Sequence, residues 1–111
     1  MIVRVTLRHI DDEYERIRFD LSIDENHVPD KEMIYFGYEG QLNDTEDSHA
    51  VMLNQKGVID LGDGFEASCR YHKTNLLDKK IELKKYVTIW WKYGLEEIEA
   101  VYIIEGVTML K

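Results

Sequence analysis

The stretch from residue 86 to residue 104 constrains the fold more than any other part of this 111-residue chain. Apolar and polar residues alternate on both sides of Gly94-Leu95, and glycine at the first central position favours a two-residue type II′ turn. Such a turn fixes the register of a hairpin, because the flanking residues pair and the others follow by counting outward. The predicted pairs are Tyr93–Glu96, Lys92–Glu97, Trp91–Ile98, Trp90–Glu99, Ile89–Ala100, Thr88–Val101, Val87–Tyr102 and Tyr86–Ile103.

The register separates the two neighbouring tryptophans, because successive side chains of a strand point to opposite faces. Trp91 shares an apolar face and is predicted to lie in the core. The other members of that face are Val87, Ile89, Ile98, Ala100, Tyr102 and Ile104. Trp90 lies on the more polar face, opposite Glu99, where it is either covered by the 75–85 segment or free to bind.

The N-terminal residues predict a second hairpin. Residues 3–8 and 16–23 alternate cleanly between apolar and polar side chains, as in a sheet with one buried and one solvated face. The polar link at 11–13 joins them. The expected cross-strand pairs are Val5–Phe19, Leu7–Ile17, Ile10–Tyr14 and, on the solvated face, Arg4–Asp20.

The middle of the chain is less regular. Residues 33–40 (MIYFGYEG) are aromatic enough to favour a strand over a short helix beginning after Pro29. Residues 43–48 have the composition of a loop. From residue 49 onward, glycine-containing turns at 54–57 and 62–64 separate three short strand-like runs. Alternation in the third run predicts a core position for Cys69.

Residues 75–85 (NLLDKKIELKK) interrupt this β pattern. They are strong helix formers with Asn75 as a candidate N-cap, so the sequence predicts a helix near 75–85. The alternative is an early start of the following strand through Ile81 and Leu83. A further strand segment is expected at the C-terminal end, after a bulge near Gly106.

Together these elements predict a single domain over 1–111 that is mainly β, with an α+β fold as the alternative. We expect an antiparallel meander of about seven or eight strands forming a curled sheet or a barrel-like sandwich. The chain length fits one domain of ordinary size.

The net charge of −8 is concentrated in residues 11–50. An acidic surface repels phosphate backbones, which argues against direct nucleic-acid binding. One cysteine, no signal-peptide pattern and no apolar run of membrane-spanning length together predict a cytoplasmic protein that is not inserted in a membrane.

No motif in the sequence indicates a particular enzymatic reaction. There is no metal-binding spacing of cysteines and histidines, no nucleophile elbow and no phosphate-binding glycine loop. Residues 47–49 (DSH) contain the three residue types of a catalytic triad, but adjacency in sequence is not triad geometry. We therefore expect no enzymatic activity, no metal and no cofactor.

The candidate site residues are aromatic and charged side chains, since tryptophan and tyrosine are frequent anchors of protein interfaces. They are Trp90, Tyr86, Lys92, Glu99, Asp11, Asp12 and Glu13. The first hypothesis is an acidic binding protein, inhibitor- or immunity-like, that docks onto a macromolecular and basic partner. The alternative is a small-ligand-binding β-barrel with a pocket beside Trp91, Tyr102 or Phe19. A third reading is a homodimer through the strip Tyr86, Val101 and Ile103.

Overall fold

Eight antiparallel strands close into a barrel in the computed structural model. The structure describes the backbone of residues 1–111 and every side chain except that of Thr45. The strands are β1 (Ile2–His9), β2 (Glu15–Ser22), β3 (Tyr35–Gln41), β4 (Asp44–Leu53), β5 (Val58–Asp60), β6 (Tyr71–Thr74), β7 (Tyr86–Tyr93) and β8 (Glu96–Met109). A short helix α1 (Ala67–Arg70) precedes β6, and a 3₁₀ turn (Leu76–Asp78) follows it. The mainly β prediction is confirmed, and its barrel version is the one that forms.

Each strand pairs with its neighbours in sequence, and β8 returns to pair with β1. We call the end that carries the β1–β2, β3–β4, β5–β6 and β7–β8 connections the upper end, and the opposite end the lower end. No helix in the described residues is long and apolar enough to cross a membrane.

The β7–β8 hairpin has the predicted register in all of its eight pairs, from Tyr93–Glu96 to Tyr86–Ile103. Gly94 takes a φ of +63°, the left-handed conformation that a type II′ turn requires at this position. Trp91 is buried, and Trp90 is half-buried. The core assignment of Trp91 is therefore confirmed.

The β1–β2 hairpin also follows prediction, with Val5 opposite Phe19 and Leu7 opposite Ile17. On the outer face Arg4 forms two hydrogen bonds with the Asp20 carboxylate, at 2.9 and 3.1 Å. The expected Ile10–Tyr14 pair lies outside the ladder, because the Ile10 N–H donates to the carbonyl of Val101 on β8 instead.

The β1–β8 ladder joins the first and last strands. Its register shifts between the pairs Thr6–Gly106 and Leu7–Ile104, so the bulge expected near Gly106 is present. This ladder begins at the His9–Tyr102 pair, whereas β8 itself begins at Glu96. The tip of the β7–β8 hairpin therefore projects beyond the end of β1.

The predicted helix at 75–85 is wrong. Only Leu76–Asp78 is helical, as one 3₁₀ turn. Leu76, Leu77 and Ile81 are nonetheless buried in the core. Their spacing suits an amphipathic helix, but here an irregular backbone inserts these side chains into the lower end of the barrel.

The predicted loop at 43–48 is also wrong, because β4 begins at Asp44 and pairs with Gln41. Most side chains of this half of β4 are exposed. The strand is held by its ladder with β3, which needs no apolar side chains, so composition does not reveal it.

The core position predicted for Cys69 is wrong as well. Cys69 lies on α1 and is partly exposed, whereas His72 is buried and Tyr71 is exposed. Four helical residues before β6 reverse the expected alternation, which puts His72 on the inner face of the strand.

Candidate functional site

The connections at the upper end are strongly acidic, and their one basic residue, Arg70 at the end of the β5–β6 connection, is paired with Asp60 and Asp63. Every charged residue in the segments 10–14, 42–48, 61–66 and 94–97 is acidic. These residues are Asp11, Asp12, Glu13, Asp44, Glu46, Asp47, Asp63, Glu66, Glu96 and Glu97. The topology brings all four segments to the same end of the barrel, so acids that are scattered in sequence form one acidic rim.

Large apolar side chains are exposed on the same four connections. Leu95 at the β7–β8 turn is fully exposed, and Leu42 at the β3–β4 turn is 61% exposed. Ile10 and Phe65 are exposed on the other two connections. Apolar side chains surrounded by charge resemble the core and rim of a protein–protein interface. We refer to the acidic rim and these apolar tips together as the upper surface.

The lower end is different. The segment 75–85 carries Lys79, Lys80, Lys84 and Lys85 against Asp78 and Glu82. Asp78 is paired with Lys31, at 2.7 Å between Nζ and Oδ1. Acidic and basic residues are thus mixed at this end, and the charge of the barrel is strongly asymmetric.

The predicted site residues do not form one group. Asp11, Asp12 and Glu13 belong to the upper surface, whereas Tyr86 begins β7 near the lower end and is 58% exposed. Asp12 has a structural role, because its carboxylate accepts the N–H of Tyr14 at 3.0 Å. This hydrogen bond is the main cause that lowers the pKa of Asp12.

Trp90 faces outward from β7. It is opposite Glu99 of β8 and Lys73 of β6. It lines a cavity of about 150 Å³, whose other walls include Lys92, Tyr71 and Glu97. Neighbouring strands cover Trp90, and the 75–85 segment is absent from this cavity wall.

The barrel also holds an internal polar group that the sequence pattern alone does not predict. Glu39 on β3 lies opposite His49 on β4, and the Glu39 Oε2–His49 Nε2 distance is 3.2 Å. Both atoms are buried and lack a well-aligned hydrogen-bond partner among the described residues. Burial raises the pKa of Glu39 to about 7, against the opposing effect of His49. Alternation along β3 from the buried Tyr35 could have placed Glu39 on the inner face.

Tyr102 extends this polar group across the barrel. Its hydroxyl donates a hydrogen bond to the carboxylate of Glu15, at the start of β2. Burial, followed by the nearby charge of Glu15, raises the pKa of Tyr102 well above its usual value. The ring packs near Trp91, with 6.5 Å between centroids. The tyrosine is therefore a neutral donor at physiological pH.

His72 stabilises the part of the barrel wall where the ladder between β6 and β7 is short. Only Lys73–Trp90 and Thr74–Ile89 pair between these strands. The Nδ1 of His72 accepts the N–H of Lys92 at 2.7 Å, and its Nε2 lies 2.9 Å from the carbonyl of Cys69. Accepting at Nδ1 leaves the proton on Nε2, which donates to that carbonyl. Burial lowers the pKa of His72, which favours this neutral form.

The pocket expected beside Trp91, Tyr102 or Phe19 is not among the cavities found. Five surface cavities of about 150 to 390 Å³ are among those that the described residues form, and none of these five is lined by the three side chains. The described side chains also contain no cluster of three or more His, Cys, Asp or Glu residues that could hold a metal ion.

The geometry thus offers two distinct features at the upper end: an exposed acidic and apolar surface, and a buried polar group beneath it. Comparison of the chain with protein-family models, with curated proteins and with solved structures gave no match.

Proposed function

We propose that this protein is a binding module whose upper surface docks onto a basic protein partner. The observation that supports the proposal is the convergence of four connections that are rich in acidic residues and that each present an apolar side chain. Arg70, at the end of the β5–β6 connection, is the one basic residue among them and is paired with Asp60 and Asp63.

The two features have complementary effects on association. Like charges on one face attract an oppositely charged partner from a distance and raise the association rate. Apolar anchors then stabilise the contact by leaving water. Leu95 is best placed for this second role, because it is fully exposed on a hairpin that projects beyond β1.

The barrel restricts the conformational freedom of two of the four connections at the upper end. The β7–β8 connection is two residues long, and the β3–β4 connection is equally short. Short turns on paired strands lose little entropy when they bind. The tips that carry Leu95 and Leu42 are therefore preformed, which supports a role in docking.

Charge neutralisation tests the proposal. The variant Glu13→Gln/Glu46→Gln/Glu96→Gln removes three acids of the rim whose carboxylates accept no hydrogen bond in the described structure. The matched control, Glu25→Gln/Glu32→Gln/Glu82→Gln, removes three acids from the lower connections. The probe is a labelled peptide of about twelve alternating lysine and leucine residues, with affinity measured by fluorescence anisotropy.

We expect the rim variant to bind the peptide at least about tenfold more weakly at low salt, and the control to stay within about twofold. Leu95→Ser should weaken binding at high salt as well, because its contribution is apolar. Equal losses in the rim variant and the control would mean that net charge alone attracts the peptide, and the docking face would be rejected.

A second candidate function is the binding of a small apolar molecule at the lower end. It is supported by a cavity of about 390 Å³, which lies within the usual size range of ligand sites. The walls are mostly apolar and include Val3, Ile23, Ile81, Leu83 and Val107.

Titration with dodecanoate, followed by amide NMR, tests this candidate. Binding there should shift the resonances of Leu83 and Val107, and Leu83→Asp should abolish the shifts. Shifts confined to residues around Trp91 would instead favour an internal site, and the absence of any shift would exclude both.

A further inference from the structure

The outer faces of β1 and β2 carry four arginines, which differ in whether a carboxylate lies within ion-pair distance. Arg4 is paired with Asp20, and Arg16 forms two hydrogen bonds with Glu105, at 2.7 and 3.2 Å. Arg8 also approaches Glu105, at 3.6 Å. Arg18 projects from the same face of β2 as Arg16 but has no carboxylate within ion-pair distance among the described residues.

The neighbours of Arg18 follow from the ladders. Thr6 lies opposite it on β1, and Tyr38 lies opposite it on β3. Beyond these are Gly106 on β8 and Ala50 on β4. A guanidinium, a hydroxyl and an aromatic ring therefore form one row across the outer wall, and small residues flank the row on both sides.

Exposed aromatic rings extend this row toward the lower end. Tyr38 is 56% exposed, and Phe36, two residues away on the same face of β3, is 70% exposed. Large aromatic rings on an outer wall normally lose part of this exposure to neighbouring side chains. Here Ala50, which lies opposite Tyr38 on β4, is too small to cover the ring face.

Two cavities meet at this place, and both are lined by Arg18 and Tyr38. One, of about 300 Å³, continues past Thr6 and Ser48. The other, of about 340 Å³, continues past Phe36 and Ala50. The two cavities adjoin at Arg18 and Tyr38, and we refer to them together as the groove. One half is lined by hydroxyls together with Arg16, Glu39 and Glu105, and the other by aromatic rings together with Arg4 and Asp20.

We propose that this groove binds a mononucleotide, with the phosphate on Arg18 and the base stacked on Tyr38 or Phe36. A planar guanidinium binds phosphate oxygens in a bidentate manner, and the hydroxyls of Thr6 and Ser48 are suitable additional donors. Base–aromatic stacking needs only an open ring face.

The local charge makes Arg18 the group that is available to an anion. The two cavities are lined by three arginines, Arg4, Arg16 and Arg18, and by three carboxylates, Asp20, Glu39 and Glu105. Because Arg4 and Arg16 are paired with carboxylates, Arg18 is left to bind a small phosphate monoester, which carries between about −1.5 and −2 at neutral pH. A long polyanion would extend into the acidic remainder of the surface, so a single nucleotide suits the groove better than a strand.

The proposal does not depend on the docking function, because Arg18, Tyr38 and Phe36 lie outside the upper surface, of which only Leu42 lines the groove. AMP is the probe, titrated up to about 10 mM and followed by amide NMR, so that weak binding is detected. We expect saturable shifts at Thr6, Arg18, Tyr38 and Ser48. The absence of saturable shifts there would overturn the proposal.

Variants identify the two interactions. Arg18→Gln should weaken AMP binding at least about tenfold, and Tyr38→Leu at least about fivefold. The matched controls are Arg8→Gln, which removes the same charge from β1, and Tyr71→Leu, which removes an exposed tyrosine from β6. Each control should stay within about twofold, and an equal effect of Arg8→Gln would reduce the site to non-specific charge attraction.

Fragments of the probe separate the remaining alternatives. Ribose 5-phosphate and adenosine should each bind at least about tenfold more weakly than AMP. Ribose 5-phosphate binding as tightly as AMP would overturn the role of the aromatic rings. A short oligoadenylate that binds more tightly than AMP, at equal nucleotide concentration, would replace the mononucleotide site by a strand-binding surface.

Discussion

The two ends of the barrel interior are built from different chemistry. The lower end is closed by the apolar side chains of Leu76, Leu77 and Ile81. Beneath the upper connections the interior instead holds Glu39 and His49 without aligned hydrogen-bond partners. Burial of apolar area stabilises a fold, whereas a buried carboxylate without a good partner destabilises it. We conclude that the apolar interior stabilises the fold, whereas the buried carboxylate at the upper end lowers the free energy of unfolding.

The largest effect is expected from the apolar interior. Ile89→Ala removes a fully buried side chain of β7 and should lower the free energy of unfolding by about 3 kcal/mol. Urea denaturation followed by tryptophan fluorescence measures this. The control is Ile98→Ala in the same hairpin, where the side chain is exposed and the loss should stay below about 0.5 kcal/mol. Similar losses of unfolding free energy at both positions would show that the buried interior does not stabilise the protein more than the exposed tip of the hairpin.

An intermediate effect is expected at the wall between β6 and β7. His72→Ala leaves the N–H of Lys92 and the carbonyl of Cys69 without their partner and should cost about 2 kcal/mol. The neighbouring exposed Lys73→Ala is the control. A variant at position 72 that retains the stability of the native protein would show that other contacts hold this wall.

The smallest effect, and one of opposite sign, is expected at Glu39. Its pKa is raised to about 7, so the folded state holds a proton that the unfolded state has already released between about pH 4.5 and 7. The native protein should therefore lose stability as the pH rises through this window. Glu39→Gln removes that loss.

The variant should be more stable than the native protein by roughly 1 to 2 kcal/mol at pH 8 and about equal to it near pH 4. Urea denaturation of both proteins at the two pH values measures the difference. A native protein that is as stable as the variant at pH 8 would mean that water or His49 fully compensates the buried carboxylate.

The regular hairpins could be predicted from sequence because their alternation and turn chemistry point to the same register. In β7–β8, Gly94 and the apolar positions of two strands agree, and every predicted pair is present. Around α1 no such agreement exists. A four-residue helix changes the phase of the alternation, so the alternation predicts a core position for Cys69, whereas the structure buries His72 instead.

The candidate site was only partly predictable for a related reason. The acids at 11–13 are visible in the sequence, but their proximity to Glu66 and Glu96 depends on closure of the barrel. Similarly, Tyr86 and Trp90 are four residues apart on one face, yet Trp90 is covered by its neighbours near the upper end and Tyr86 is exposed near the lower end. The sequence identifies the acidic and aromatic candidate residues, but their proximity in the folded protein follows only from the strand topology.

The β1–β8 ladder has a consequence for how the molecule forms. It joins strands at opposite ends of the described chain, and Ile2 exchanges backbone hydrogen bonds with Leu110 and Lys111. Contacts of such large sequence separation slow folding, because the entropy of closing the loop is lost before they form. Until this ladder forms, β1 and β8 each expose an unpaired edge that another chain could bind. Closure of the ring is thus the step that protects the protein from aggregation during folding.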